Sequence, residues 1–559
     1  MNATRLALPA IAAMLLVGCG AAEPAPASTV FTNATFVTME GGRSDAMLVR
    51  NGRIAALGTE AVNAARSTDA TVVDLGGATV LPGFVDSHVH VRELGMDAIK
   101  VDLVGARTLS EIIARIQAQR PDPAPGEWII GQGWDEGRFA DSASLEGLES
   151  PGGYPDTQAL SDAFPDNPVA LESLHGFAAM GNARAFELAN ITADTPDPQG
   201  GTILRRADGE PSGVLLTLAQ ALLMEATPAI TPEQRKTAIR AGLSRMAEAG
   251  VTSVHEAGMT ADDVAAFRAL ADRGALPIRV FGLLNGNDAE LMQDWFRRGP
   301  LDDPDDWLDI GGIKVFFDGS LGSRTAMLGA PYADQPDTAR PTARISLNGI
   351  DDLAVRARDT GFQMAVHAIG DEANDCILAS YELRLSESPY DHRWRIEHAQ
   401  VVREDFAERA AALGVIASMQ PSHAVGDSAW AESRLGPERI RRAYAWKSLD
   451  AAGVPIIFNS DLPGEPWEPM QTLHFALTRT DLNGAPDGGW YPDEALSREQ
   501  SLHAMTLAGA HAAFQDDALG SLAVGKWADF VVLDADPLAA DDVREIAVRA
   551  TYVAGERVE

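Results

Sequence analysis

The sequence predicts an α/β fold: a (β/α)8 TIM barrel with a composite β-sandwich from both chain ends and a large insertion after the first barrel strand. Three observations support this prediction. Eight short apolar runs alternate with amphipathic stretches, both chain ends are rich in β-strand patterns, and a long excursion separates the first two runs. A doubly wound open sheet shows the same alternation and stays an alternative until the motifs are considered.

The N-terminus has the pattern of a lipoprotein signal peptide, residues 1–19. Arg5 precedes an apolar run, Leu6–Val17, that is too short to span a bilayer, which needs about 20 residues. Small residues before Cys19 resemble the lipobox of bacterial lipoproteins, in which that Cys carries the lipid. We expect anchoring through Cys19 in a bacterial cell envelope, facing the periplasm or the exterior; a cleaved secretory signal is the alternative. Residues 20–28 are predicted to be a flexible tether.

The β-rich ends, residues 29–80 and 520–559, are predicted to pair into the sandwich. Asn51-Gly52 is a strong hairpin-turn signal in the first of them. The strand patterns are Val30–Thr38, Ala46–Leu57, Thr71–Asp74, Ala78–Leu81, Phe530–Leu533 and Ala550–Val553.

The barrel is predicted over residues 81–519. Its strands are the apolar runs Phe84–Val85, Val251–Val254, Ile278–Leu284, Ile313–Phe317, Met364–Val366, Ile396, Val415–Met419 and Val454–Phe458. Amphipathic stretches such as Glu233–Ala249 separate most of them, and Thr231 with Gln234 has the spacing of a capping box. The excursion at about 95–228 is too long for a bare loop, so we expect a subdomain over the barrel mouth.

Composition excludes several classes of protein. Lys plus Arg is 45 and Asp plus Glu is 80, which gives a net charge of −35. Such a chain repels phosphate backbones, so no nucleic-acid partner is expected. The two cysteines, Cys19 and Cys376, exclude a disulfide framework.

Polar residues stand where predicted barrel strands end. His88 and His90, two positions apart, point to the same side of the first strand. His367, His398 and Asp461 each follow a later apolar run. Because such ends converge on one mouth of a barrel, these side chains are expected to lie together. Neutral imidazole and carboxylate are ligands of zinc and related divalent ions, so a metal site is predicted.

Lys314 stands in an apolar strand pattern, Gly312–Phe317. A buried, charged and unpaired Lys is costly. One interpretation is an ion pair with a nearby carboxylate such as Asp318. The other is a neutral amine that CO₂ converts to a carbamate, an anion that can bridge two metals. The residues alone leave both open.

These motifs resemble the metal-dependent amidohydrolase superfamily, in the extended branch that contains N-substituted formamide deformylase. The match runs from about Val30 to the C-terminus. The segments that carry it are Pro82–His90, Ile130–Asp135, Gly201–Ile203, Gly209–Leu215, Gly250–His255, Lys314–Thr325, Ile396–Gln400 and Met419–Pro421.

The resemblance implies one or two divalent ions, with zinc as the expected metal, and a CO₂-derived carbamate on Lys314. The implied ligands are His88 and His90 for the first ion, His367 and His398 for the second, Lys314 as the bridge, and Asp461 in contact with the first ion and the attacking water. A mononuclear site with an unmodified Lys314 stays open.

The implied activity is hydrolysis of amide-like C–N bonds other than peptide bonds, in a small-molecule substrate such as an N-formyl or N-acyl amine. A metal-activated water is the nucleophile and Asp461 is the general acid and base. Lactone, ester or dipeptide hydrolysis by the same site, and a non-catalytic ligand-binding lipoprotein, are the alternatives. A homo-oligomer also stays open.

Four residues are candidates for substrate contact. His423 follows the seventh strand, Arg324 follows the fourth, and Trp134 and His175 belong to the insertion. His175 is displaced by two positions from the His of the Asp-Gly-His found in many relatives. For His423 and Trp134 a structural role is an equal alternative, and His255, at the end of the second strand, is interpreted as a support behind the ligands.

Overall fold

The computed structural model describes residues 28–66, 69–134, 154–173, 178–198, 200–337, 340–386 and 390–558. The predicted signal peptide with Cys19, almost all of the tether, and His175 lie outside the described residues. Within the described residues, no helix combines the length and apolar character needed to cross a membrane.

The strands are, in chain order, β1 Ser28–Val37, β2 Arg43–Arg50, β3 Arg53–Leu57, β4 Thr71–Pro82, β5 Phe84–Val89, β6 Val101–Asp102, β7 Ile129–Trp134, β8 Val169–Ser173, β9 Ala178–Gly181, β10 Gly201–Arg205, β11 Pro211–Thr217, β12 Val251–Met259, β13 Arg279–Asn285, β14 Leu308–Phe316, β15 Gln363–Ala368, β16 Arg395–His398, β17 Ile416–Met419, β18 Ile456–Phe458, β19 Phe530–Leu533, β20 Val548–Val553 and β21 Glu556–Arg557.

The helices are, in chain order, α1 Gly58–Arg66, α2 Val91–Leu94, α3 Leu109–Gln119, α4 Gln158–Ala163, α5 Ala183–Leu188, α6 Gln220–Met224, α7 Pro232–Glu248, α8 Ala261–Ala271, α9 Ala289–Arg298, α10 Leu347–Thr360, α11 Asp371–Leu385, α12 Phe406–Leu413, α13 Pro421–Asp427, α14 Ala431–Arg439, α15 Trp446–Ala451, α16 Pro469–Thr478, α17 Arg498–Ala504 and α18 Leu507–Ala512. The predicted capping box begins α7, where Thr231 accepts from the Gln234 backbone and the Gln234 side chain accepts in return.

Eight parallel strands of the described chain form the barrel, in the order β18-β17-β16-β15-β14-β13-β12-β5. The first and last of them meet at a seam: Asp461 N donates to His88 O at 3.0 Å, and Ser460 donates to Asp86 from its backbone at 3.0 Å and from its hydroxyl at 2.6 Å. Burial raises the pKa of Asp86 to about 7. The seam aligns the carboxyl ends of β5 and β18, where the predicted ligands lie.

The two chain ends form one continuous sheet within the described residues, with strand order β21-β20-β19-β4-β1-β2-β3. The turn between β2 and β3 has φ 50° at Asn51 and φ 74° at Gly52, the left-handed pair that an Asn-Gly hairpin turn needs. The predicted barrel with a β domain from both ends is confirmed. Thr71–Pro82, predicted as two strands, is a single strand, because β4 continues to pair with β1 beyond a register shift.

The insertion has a sheet of its own, with order β10-β11-β9-β8-β7-β6 among the described residues. Within this sheet β10 and β11 form an antiparallel pair in which Thr202 lies opposite Leu216. Its core includes Ile116, Trp134, Leu171 and Val214, all fully buried. The insertion therefore packs around apolar side chains distinct from those of the barrel.

Candidate metal centre

The ends of β5 and β18 bring two imidazoles and one carboxylate together. Nε2 of His88 lies 3.5 Å from Oδ1 of Asp461, and Nε2 of His90 lies 3.4 Å from the same oxygen. The three donor atoms all lie within 4.8 Å of one another. This spacing suits ligands that each stand about 2 Å from a common divalent ion.

The other oxygen of Asp461 faces a second group of imidazoles. Oδ2 lies 3.9 Å from Nδ1 of His398 and 3.9 Å from Nε2 of His423. The rings of His398 and His423 are stacked with centroids 6.0 Å apart. Asp461 therefore lies between two groups of imidazoles and contacts both.

His367, on β15, is brought to the same place. Its ring centroid lies 4.4 Å from that of His398. One nitrogen of each ring has a protein partner: Nε2 of His367 lies 3.2 Å from Gly319 O, and Nδ1 of His398 lies 2.9 Å from Oε1 of Gln420. A neutral imidazole binds a metal through the nitrogen opposite its hydrogen bond. Nδ1 of His367 and Nε2 of His398 are therefore the nitrogens suited to a metal.

Lys314, on β14, lies against the first ligand. Its buried Nζ stands 2.9 Å from Nε2 of His88. Asp318, considered as an ion-pair partner, instead accepts three backbone N–H groups from neighbouring loops. Asp318 is therefore not the partner of Lys314, and the carboxylates that act on the Lys314 charge are Glu397 and Asp461. Burial lowers the pKa of Lys314 to about 8, which increases the fraction of neutral amine near neutral pH.

Glu397 is a site residue that sequence reasoning missed. Its Oε2 lies 2.6 Å from Nδ1 of His88, and both side chains are fully buried. Arg395 Nε lies 2.8 Å from its Oε1. Although burial opposes ionisation, Arg395 and His88 hold the pKa of Glu397 far below its usual value. The signal in the sequence was an acidic residue between Ile396 and the predicted ligand His398.

The protonation states of these donors fit a divalent ion. Burial lowers the pKa of His88 to about 4 and that of His398 well below its usual value. Burial opposes ionisation of Asp461, but the surrounding imidazoles hold its pKa well below the ordinary range. Neutral imidazoles and an ionised carboxylate are the forms that bind zinc.

The predicted substrate contacts are placed differently from one another. His423 lies on α13 at the site, with its side chain 21% exposed. Trp134 is fully buried in the core of the insertion and donates to Leu171 O at 3.1 Å, which favours its packing alternative. Arg324 follows β14 and pairs with Asp334 at 2.6 Å. His175 lies outside the described residues.

A cavity of about 1090 Å³ lies away from these residues. Ile416 and Ile456, at the amino ends of β17 and β18, line it together with Leu507 on α18. The cavity therefore opens at the opposite end of the barrel from the ligands. Chemistry belongs at the carboxyl ends, because the imidazoles and Asp461 converge there.

The barrel and its ring of imidazoles around a carboxylate define a metal-dependent hydrolase. The chain belongs to the amidohydrolase family, whose sequence profile matches residues 71–559. The family resemblance inferred from the motifs is confirmed.

Relatives match along nearly the whole chain. N-substituted formamide deformylase of Arthrobacter pascens is 31% identical over 546 residues, covering 94% of this chain and 96% of that protein. Protein LONG AFTER FAR-RED 3 of Arabidopsis thaliana is 32% identical over 551 residues, covering 95% and 91%. The crystal structure of an uncharacterized metal-dependent hydrolase from Pyrococcus furiosus matches with a TM-score of 0.75 and 29% identity, covering 92% of this chain and 100% of that one.

Proposed function

We propose that this protein hydrolyses amide-like C–N bonds other than peptide bonds in small molecules, with N-formyl or N-acyl amines as the first substrate class. The observation that carries the proposal is the position of Asp461, whose two oxygens face His88 and His90 on one side and His398 on the other. The 31% identity to a protein named for deformylating N-substituted formamides supports the substrate class.

One or two divalent ions, zinc first, would be held at this site. The residues that would hold them are His88, His90, Lys314, His367, His398 and Asp461. A bound divalent ion lowers the pKa of a coordinated water towards about 7 and polarises a carbonyl oxygen. Neutral Lys314 would attack CO₂ through Nζ: an N–C bond would form as one C=O π bond opens onto oxygen, and the nitrogen would release one proton. The anionic carbamate would be an additional ligand for a divalent ion.

Asp461 is the residue suited to move the proton. Its two oxygens face both groups of imidazoles, so the ionised carboxylate can accept a proton from the attacking water. The same carboxyl can then donate that proton to the departing nitrogen. Both oxygens lie at the mouth, where the side chain is 19% exposed, so substrate and water can reach them.

The test is hydrolysis by protein stripped with a chelator and reloaded separately with Zn²⁺, Fe²⁺ or Mn²⁺. The panel contains N-formyl amines, N-acyl amino acids, dipeptides and lactones. We expect metal-dependent release of free amine from an N-formyl or N-acyl amine. Faster turnover of a lactone or a dipeptide would show that the proposed substrate class is wrong. Full metal binding without turnover of any panel compound would favour a non-catalytic ligand-binding protein.

We further propose that the mature protein is attached to the bacterial cell envelope by lipid on Cys19, facing the periplasm or the exterior. The support is the Leu6–Val17 run followed by a Cys after small residues. Cys19→Ser should move the protein from the membrane fraction to the soluble fraction. Cys376→Ser is the matched control and should leave fractionation unchanged. Membrane association that persists in Cys19→Ser contradicts the anchor.

A further inference from the structure

A line of polar contacts crosses the barrel interior directly behind the first ligand. Nη1 of Arg395 donates to Nδ1 of His255 at 2.8 Å, and Nε of Arg395 lies 2.8 Å from Glu397 Oε1. Oε2 of Glu397 then lies 2.6 Å from Nδ1 of His88. We call these four residues the cross-barrel relay. It joins three strands, β12, β16 and β5.

The relay lies in the barrel interior, where burying a polar group costs desolvation free energy. All four side chains are fully buried. The ion pair of Arg395 and Glu397 costs desolvation that its Coulomb attraction repays only with good geometry, and apolar residues of similar volume often stabilise a fold as well or better. Stability alone is therefore a weak reason for a charged pair at this position.

The direction of the hydrogen bonds gives a better reason. Arginine can only donate, so Nδ1 of His255 accepts from Arg395. An ionised carboxylate can only accept, so Nδ1 of His88 carries a proton and donates it to Glu397. Nε2 of His88 is then left with its lone pair. That nitrogen lies 3.5 Å from Oδ1 of Asp461 and 2.9 Å from Nζ of Lys314.

We propose that Glu397 is a positioning residue that fixes the tautomer and ring orientation of His88, and that Arg395 and His255 hold Glu397 in place. The inference rests on the proposed function, because His88 matters as a metal ligand only if the site binds metal. A free imidazole exchanges between its two tautomers. Partners behind a ligand that suppress this exchange typically contribute about 10- to 100-fold in metal affinity.

The test compares Glu397→Ala and Glu397→Gln with wild type. Arg279 and Asp529 form a second buried pair, 2.5 Å apart and 0% and 5% exposed, and Asp529→Asn is therefore the matched control. Zn²⁺ affinity is measured by competition with a chelator. We expect Glu397→Ala to lose about 10- to 100-fold in affinity and Asp529→Asn to retain wild-type affinity even if it unfolds at a lower temperature.

A second readout works without metal or turnover. In metal-free protein labelled with ¹⁵N-histidine, the ring signals of His88, identified by their absence from His88→Gln, report which nitrogen carries the proton. We expect a single Nδ1–H form in wild type and in Asp529→Asn. In Glu397→Gln, whose amide can present either oxygen or NH₂, we expect a mixture of tautomers when Lys314→Met also removes the amine that lies 2.9 Å from Nε2. An unchanged single tautomer in that double variant, together with unchanged Zn²⁺ affinity in Glu397→Gln, overturns the proposal.

His255→Ala keeps the inference testable if the Glu397 variants fail to fold. It removes the outer end of the relay without touching a ligand, and we expect a smaller fall in Zn²⁺ affinity than in Glu397→Ala, with a second tautomer appearing when Lys314→Met is added. Unchanged affinity and tautomer in His255→Ala overturn the part assigned to His255. If wild type binds no metal but its His88 tautomer still depends on Glu397, the proposed function fails and the relay stands.

Discussion

The inner and outer sides of the metal centre are held in different ways. On the inner side, His88 is 0% exposed and has a partner at each ring nitrogen, Glu397 and Lys314. On the outer side, the side chains of His90 and His423 are 29% and 21% exposed and approach Asp461 at 3.4 and 3.9 Å. The inner ligand is thus positioned by the protein itself, whereas the outer residues keep surface on which substrate can bind.

The comparison predicts that changes on the inner side alter both metal retention and stability, and that changes on the outer side alter metal retention or substrate use with less effect on stability. Asp461 lies between the two sides, so its substitution should affect both metal retention and substrate turnover. The predictions below run from the largest expected effect to the smallest.

Asp461→Asn should lower turnover of the best panel substrate by about 100- to 10,000-fold, because the amide can neither accept the proton from water nor return it to nitrogen. The measurement is kcat with zinc content determined on the same sample. Turnover within a few fold of wild type at equal zinc content would show that Asp461 is not the general acid and base.

His88→Ala and His90→Ala compare the two sides within one motif. We expect both to be inactive, because each loses a predicted ligand, but His88→Ala should also be less stable. It leaves the buried Glu397 carboxylate without its imidazole donor, which typically costs about 1–3 kcal/mol. Urea unfolding of the metal-free proteins measures this difference. Equal stability of the two variants would contradict the distinction between inner and outer ligands.

Lys314→Met should reduce metal occupancy yet stabilise the metal-free chain. Burial lowers the pKa of Lys314 to about 8 from an ordinary value of 10.5, so a charged amine in the folded state costs up to about 3 kcal/mol at pH 7. Methionine has no such cost. The advantage should shrink as pH rises from about 8 towards 10.5, where wild-type Lys314 is already neutral when folded and becomes neutral when unfolded.

The measurement for Lys314→Met is urea unfolding at pH 7 and pH 10 in carbonate-free buffer, since a carbamate would replace the amine. A variant less stable than wild type at pH 7, or a pH-independent difference, would show that the amine is well solvated or paired.

His423→Ala should have the smallest effect, about a 10-fold loss in kcat/KM, or about 1.4 kcal/mol of transition-state binding, at unchanged zinc content. Its exposed position makes it a substrate contact more readily than an inner ligand. Loss of zinc in His423→Ala would indicate that His423 is a metal ligand.

The barrel was predictable because its strands are short apolar runs separated by amphipathic stretches, and this alternation can be recognised in the sequence without knowledge of tertiary contacts. One strand that was predicted incompletely is β12, which extends from Val251 to Met259 although the predicted apolar run is only Val251–Val254. Its later residues, His255 and Glu256, are buried polar side chains. Polar residues inside the barrel therefore resemble the end of a strand when only the sequence is considered.

The convergence of the imidazoles and Asp461 was predictable for the same reason, since each of these residues follows an apolar run, whereas Lys314 stands within one. Glu397 was not, because its partner His88 lies 309 positions away and no local spacing connects them. The insertion was predictable as a folded unit, but the order of its strands was not, because β6 and β9 are only a few residues long and pair across sequence that has no strong turn signal.

The seam between β5 and β18 has a consequence for how the molecule opens. The peptide nitrogen of Asp461 donates to the peptide oxygen of His88, so the same two residues close the barrel and supply two of the predicted metal ligands. A divalent ion bound by both side chains would also stabilise the hydrogen bond between their backbones. Metal binding should therefore slow hydrogen exchange at the Asp461 amide and raise the temperature at which the barrel unfolds.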